Sequence, residues 1–208
     1  MTIAVIGTGN IGSGLAQALG KTAHKVIVVD RNGGQAAAEK LRAEGVEVQG
    51  ADLAAAQAAD IVILATPYNG SLEVAANTDF SGKIVVDVSN PVTEDFSALQ
   101  LGHTGSAAET IAARAQGATV VKAFNTIFAQ HYATGLKIGE QKLQTFVAAD
   151  DETARKQVME LAEQIGLEAR DAGPLSNARY LEPLGYMNIQ FGYILGQGTS
   201  IAPNWLAA

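Results

Sequence analysis

"IAVIGTGNIGSGLAQALG", residues 3–20, decides the fold. A run rich in β-branched residues breaks into four glycines, Gly7, Gly9, Gly12 and Gly14, and resumes as a pattern of alanine and leucine. Glycine weakens strands and helices alike, so such a cluster needs a reason. Gly7, Gly9 and Gly12 fit G-x-G-x-x-G, directly after a predicted strand and at the start of a predicted helix. In that setting Gly7 permits the tight turn, Gly9 lets a pyrophosphate lie against the backbone, and Gly12 brings helix and strand together. N–H groups at the helix start, aided by the helix dipole, bind the phosphates.

Outward from this stretch, apolar runs and amphipathic stretches alternate. Predicted strands are Ile3–Gly7, Lys25–Asp30, Val46–Val48, Ile61–Ala65, Lys83–Val88, Thr119–Ala123 and Leu143–Ala148. Most are continuously apolar, as expected where both faces of a sheet are covered. Helical patterns lie between them at Gly9–Leu19, Gln35–Ala43, Ala107–Arg114 and Thr153–Ile165. The expectation is an α/β fold, a doubly wound and mainly parallel sheet over residues 1–172. Residues 173–208 are read as a small helical extension closing the site. There Leu181, Leu184, Met187, Phe191 and Leu195 recur at roughly helical spacing, with Pro183 placed to kink the first turns. This stripe is expected to pack on the sheet or on a second copy of the chain, making a homodimer. Tyr180, Tyr186 and Tyr193 are candidates for the wall of a pocket for a flat ligand.

Asp30 ends the second strand, 18 positions beyond Gly12. A carboxylate there can accept both hydrogen bonds from an adenosine ribose, which favours NAD. A 2′-phosphate would meet like charge at a cost of about 4 kcal/mol at 4 Å and intermediate dielectric. Arg31 pulls the other way, because a guanidinium pairs with that phosphate. NAD and NADP both stay open.

Ligands of open α/β sheets bind beyond the carboxyl ends of the strands. "ATPYNG" (65–70), "VSNPV" (88–92) and "KAFNTI" (122–127) sit at such ends. They offer Thr66, Pro67, Asn90 and Asn125 to frame a nicotinamide, Asn125 as the residue that bonds its carboxamide or the acceptor ring.

The 208 residues are 48% apolar and 17% charged, which excludes a disordered chain. A net charge of −7 disfavours nucleic acid. The absence of cysteine excludes disulfides, thiolate metal sites and cysteine nucleophiles, and suits a reducing cytoplasm. No apolar run approaches the roughly 20 residues of a membrane span, and the early first strand leaves no room for a signal peptide. His24, His103 and His131 are not at metal-ligand spacing, so no metal is expected. His131 follows the Asn125 loop and is a candidate to approach the site, whereas Lys122 is read as a core-edge lysine. No carboxylate pair, nucleophile elbow or Tyr-x-x-x-Lys pair is apparent. Hydride transfer between a nicotinamide and a flat ring needs stacking and exclusion of water more than a side-chain acid.

Together, "IAVIGTGNIGSGLAQAL", "ATPYN", "VVDVSNP", "VVKAFNTI" and "DAGPLSNARYLEPL" resemble the NADPH-dependent reductases of coenzyme F420, a deazaflavin. The same segments are similar to the oxidoreductase domain of the membrane metalloreductases. The resemblance implies a Rossmann domain with a C-terminal extension and hydride transfer to a deazaflavin or flavin. By position it puts Thr8, Asn10 and Ile11 in the phosphate loop and makes Arg31 the 2′-phosphate ligand. Asp30 departs from the family pattern, where a small hydroxyl residue is typical. A hydroxyacid-type dehydrogenase with a catalytic lysine and a non-catalytic NAD(P)-binding redox sensor stay open as alternatives.

Overall fold

A computed structural model describes residues 1–206. The chain runs β1 (Thr2–Ile6), α1 (Asn10–Leu19), β2 (Lys25–Val29), α2 (Gln35–Ala43), β3 (Gln49–Gly50), α3 (Leu53–Gln57), β4 (Ile61–Leu64), α4 (Tyr68–Asn77) and β5 (Ile84–Asp87). It continues through α5 (Ala107–Arg114), β6 (Thr119–Lys122), α6 (Gln130–Thr134), β7 (Lys137–Ile138), β8 (Gln141–Lys142), β9 (Gln144–Val147), α7 (Glu152–Gln164), β10 (Glu168–Asp171) and α8 (Ala178–Ile189). Six strands form one parallel sheet in the order β3-β2-β1-β4-β5-β6. The strand order reverses between β1 and β4, so a crevice opens beyond their carboxyl ends.

Alternation along each strand sends residues to two apolar layers. Ile3, Val5, Val26, Val28, Ile61 and Ile63 face α1, α2 and α7. Ala4, Ile6, Ile27, Val29, Val62 and Leu64 face α3, α4 and α5. This two-sided burial explains why the strands read as continuous apolar runs. The Rossmann-type doubly wound sheet with a C-terminal helix is the architecture the sequence predicts.

The differences have physical reasons. Val46 and Val48 are buried, but the ladder with β2 is made by the two residues that follow, Gln49 and Gly50. Burial of a connector therefore mimics a strand. The predicted seventh strand, β9, pairs with β10 in a small parallel sheet. A single antiparallel bridge, Lys122 to Ala148, joins it to β6.

α8 departs most from its sequence pattern. The helix runs through Pro183, which lies in its second turn, and ends at Ile189, followed by a π-helical turn over Gln190–Ile194. Its buried face is Ala178, Leu181, Glu182, Gly185 and Asn188, which keeps only Leu181 of the aliphatic stripe. Met187 and Leu195 are exposed. Leu181 packs on Phe146 of β9 and on Ala148, and elsewhere the helix lies on loops and the start of α5, where small and polar residues make the contact. A Cβ at Gly185 would come within 2.5 Å of Asn90 Oδ1, so only glycine allows this approach.

An ion cluster with almost no solvent access fixes α8 in place. The Lys122 ammonium donates to Asp87 Oδ2 (2.7 Å), Glu182 Oε1 (2.9 Å) and the Ser89 carbonyl. Glu182 also accepts the first N–H groups of α5, from Ala107 (2.9 Å) and Ala108 (3.2 Å). The positive end of α5 thus offsets the carboxylate left over by one lysine and two acids. Burial pulls the Lys122 pKa down, but Asp87 and Glu182 outweigh it and leave the group above its ordinary value. Beside it, Arg179 grips Glu109, whose amide donates to the Ser106 hydroxyl that caps the start of α5. Replacing Lys122 with Met leaves two buried carboxylates unpaired. We expect Lys122→Met to lower the urea-unfolding free energy by about 3–5 kcal/mol, and a loss below about 1 kcal/mol would contradict this anchoring role.

Candidate active site

Gly7 has a left-handed backbone (φ 101°), and a Cβ at Gly12 would lie 1.9 Å from the Gly7 carbonyl oxygen. The turn and the close packing of α1 on β1 therefore both depend on glycine. At Gly9 a Cβ would meet nothing within 4 Å, so the loop faces open space. No side chain caps α1 and its first turn has no acidic residue. The N–H groups at this helix start are left for an anion.

That start opens onto a cleft of about 670 Å³. Gly9, Asn10, Ile11, Thr66, Pro67, Asn90 and Asn125, seven of the residues singled out from sequence, line it together. Gly7, Thr8 and Gly12 shape the loop without lining the cleft. Thr66 turns its hydroxyl to Ser71 in the first turns of α4 (2.8 Å).

Asp30 is linked to the loop by the Thr8 hydroxyl, which donates to its Oδ2 (3.0 Å). Its Oδ1 accepts the amides of Asn32 (2.7 Å) and Gly34 (3.2 Å), closing the turn into α2. The Asn32 and Gly34 amides hold the carboxyl below its usual range, so Asp30 is ionised at neutral pH. Arg31 is exposed beside it.

The floor of the cleft is built by two asparagines. Asn90 Nδ2 donates to the Asn125 carbonyl (2.8 Å), and Asn125 Nδ2 donates to Asn90 Oδ1 (2.9 Å) and to the Leu181 carbonyl (2.8 Å). Backbone carbonyls only accept, so the orientation of both amides is fixed. Asn125 Oδ1 is left without a partner although the residue is 7% exposed. The hydroxyls of Ser89 and Thr126, buried in the same lining, are unpartnered too. A buried unpaired polar atom costs roughly 1–3 kcal/mol, so three among the residues lining one cleft suit a polar ligand there.

Sequence reading missed several contributors. Phe96 (φ 58°) and Phe124 (φ 63°), two of the three described non-glycine residues with left-handed backbone, both line this cleft. Such strain collects at functional sites, and no residue pattern announces it. Gly185, Asn188 and Ile189 of α8 form another wall, continued by Tyr193 and Ile194.

Of the three tyrosines expected to wall a pocket, only Tyr193 does so here. Tyr180 faces a separate groove with Trp205, and Tyr186 bonds the Phe96 carbonyl through its hydroxyl (3.2 Å). His131 is buried with Nε2 3.2 Å from the Ile201 carbonyl oxygen and does not line the cleft. Lys122, expected at the core edge, is wholly inside, and its partners Asp87 and Glu182 form the carboxylate pair that spacing did not reveal. Among the described residues, no helix is long and apolar enough to cross a membrane.

Residues 2–91 match the family described as NADP oxidoreductase, coenzyme F420-dependent. A hypothetical protein from Sinorhizobium meliloti is 31% identical in sequence, superimposing with a TM-score of 0.78 over 86% of this chain and 87% of that one. A candidate F420-dependent NADP-reductase from Arthrobacter sp. FB24 is 27% identical, with a TM-score of 0.85 over 99% of each chain. Metalloreductase STEAP3 of Rattus norvegicus is 29% identical over 182 residues, which are 88% of this chain and 36% of STEAP3. The chain thus spans about a third of the length of that relative. The glycine loop at the switch point and the cleft beyond it agree with these likenesses, and residues 2–91 of the chain belong to the family of coenzyme F420-dependent NADP oxidoreductases.

Proposed function

We propose that the chain binds a nicotinamide dinucleotide across the switch point and serves hydride transfer from it to a flavin-type or deazaflavin acceptor. One observation carries this reading: Asn125, which lines the cleft, keeps a buried acceptor, Oδ1, with no donor, while its amide nitrogen is fixed by Asn90 and Leu181. A nicotinamide carboxamide supplies such a donor. The residues present fit the rest of the dinucleotide as well. The bare start of α1 and the open face of Gly9 suit the diphosphate. Asp30 and Arg31 stand where the adenosine ribose would end.

When bound, the reduced dinucleotide supplies a hydride, and with one proton from water the acceptor becomes its two-electron-reduced form. This chain's residues position and shield. Asn125 fixes the carboxamide and hence the presented ring face, Asn90 locks Asn125, and Pro67 stiffens the loop beside them. Phe96, Phe124 and Phe128 keep the cleft apolar, which limits loss of the hydride to solvent. No carboxylic acid, histidine or lysine stands in this lining, as fits a transfer that depends on stacking and orientation.

The hydroxyacid-type alternative needs a lysine facing the substrate. Lys122 is instead consumed by Asp87, Glu182 and the Ser89 carbonyl, away from the cleft.

We expect Asn125→Ala to lower kcat about 10- to 100-fold, the worth of one oriented hydrogen bond, with a much smaller change in dinucleotide affinity. A rate equal to wild type in steady-state NADPH oxidation would remove Asn125 from the site. Asp30→Ser retains one acceptor for the turn amides and removes a charge. Its ratio of kcat/KM for NADPH over NADH should rise about tenfold or more, and an unmoved ratio would place the ribose elsewhere.

A further inference from the structure

Beyond the glycine loop and the asparagine pair, the cleft is walled by Val92, Phe96, Phe128, Ile189, Tyr193 and Ile194. Three of these are large apolar residues left open to solvent: Phe96 at 46%, Tyr193 at 63% and Ile194 at 57% exposure. Phe96 is held there against its own backbone preference. With φ at 58° it occupies the left-handed region, unfavourable for an aromatic residue. Its N–H donates to the Thr93 carbonyl (2.9 Å), and its carbonyl accepts from Tyr186 Oη (3.2 Å) and Gln190 Nε2 (3.0 Å). Tyr193 is set edge-on against Phe128, with ring centroids 5.4 Å apart. Rigid, exposed aromatic faces beside a polar floor are surfaces on which a flat ring stacks.

The charge around them is one-sided. No Lys, Arg, His, Asp or Glu lines the cleft. The two residues before Phe96 are Glu94 and Asp95. Asp95 is held down to about 2 by the Thr93 hydroxyl and then by Ser97, so it is ionised. From Gln190 to the end of the chain there is no charged side chain at all. The molecule as a whole carries −7, and a bound dinucleotide would add its own phosphates. An anionic tail on the acceptor would find no cation at this wall.

We infer that the acceptor site takes a planar aromatic ring with an uncharged side chain, stacked against Phe96, and disfavours the same ring carrying a phosphate. This rests on the hydride-transfer reading above and narrows it to a class of acceptor.

Riboflavin and FMN share one ring and differ by one phosphate, so they isolate the tail. With oxidised NADP present, flavin fluorescence quenching should show riboflavin binding about fivefold or more tightly than FMN at low salt, with the gap shrinking at high salt. Glu94→Lys should narrow the same gap. Phe96→Ala should weaken riboflavin at least fivefold, while calorimetry finds the affinity for NADP unchanged. FMN binding as tightly as riboflavin, or neither flavin binding to a protein that binds NADP, would overturn the inference. Riboflavin quenching without NADPH oxidation would leave this site standing and sink the hydride-transfer reading instead. A protein that binds no dinucleotide would do so too.

Discussion

Asn125 cannot turn its side chain round. Its amide nitrogen is held by the Leu181 carbonyl and by Asn90, and Asn90 is held in turn by the Asn125 carbonyl. One oxygen of a residue that lines the cleft is therefore left buried with no donor to accept from. Folding has left that atom out of water and without a partner, a state tolerated only where something else repays it. Much of the surrounding architecture can be read as what this arrangement requires. Leu181 must lie close, so α8 must rest on the ends of β5 and β6. That contact is possible because residue 185 has no side chain. The helix stays there because Glu182, Lys122 and Asp87 form a buried cluster that also caps α5.

The two sides of the cleft are made by different physics. On the amino-terminal side the backbone does the work: glycines bring α1 against β1, and main-chain N–H groups are left bare. On the carboxyl-terminal side, side chains do it, through charge, amide orientation and strained phenylalanines. The difference decides what could be read in advance. Gly7, Gly9 and Gly12 announce themselves because only glycine serves there, and their spacing follows from the turn. Asp30 was equally visible, at the end of a strand at the expected distance, but not that its carboxylate would be shared with the Asn32 and Gly34 amides and with Thr8.

α8 was legible as a helix and misread as to its face. Leucines at helical spacing suggested an apolar stripe, whereas only Leu181 of that stripe is fully buried and glycine, alanine, asparagine and glutamate make the rest of the contact. A signal did exist. Asp87 and Lys122 each interrupt an otherwise apolar strand, and they pair directly in the register of β5 and β6. Opposite charges inside neighbouring buried strands need each other, and the remaining lone pairs and protons need further partners. Glu182 is one such partner, distant in sequence and adjacent only in the fold. Phe96 and Phe124 could not have been found this way, since left-handed backbone at a phenylalanine leaves no trace in residue type.

The account stands or falls on what meets Asn125. A crystal structure of the complex with oxidised or reduced NADP tests it most directly. The account predicts the diphosphate at the start of α1 and the carboxamide nitrogen about 3 Å from Asn125 Oδ1, the length of an ordinary hydrogen bond. A dinucleotide whose nicotinamide lies outside the cleft, or inside it with Asn125 Oδ1 still unpaired, would contradict it.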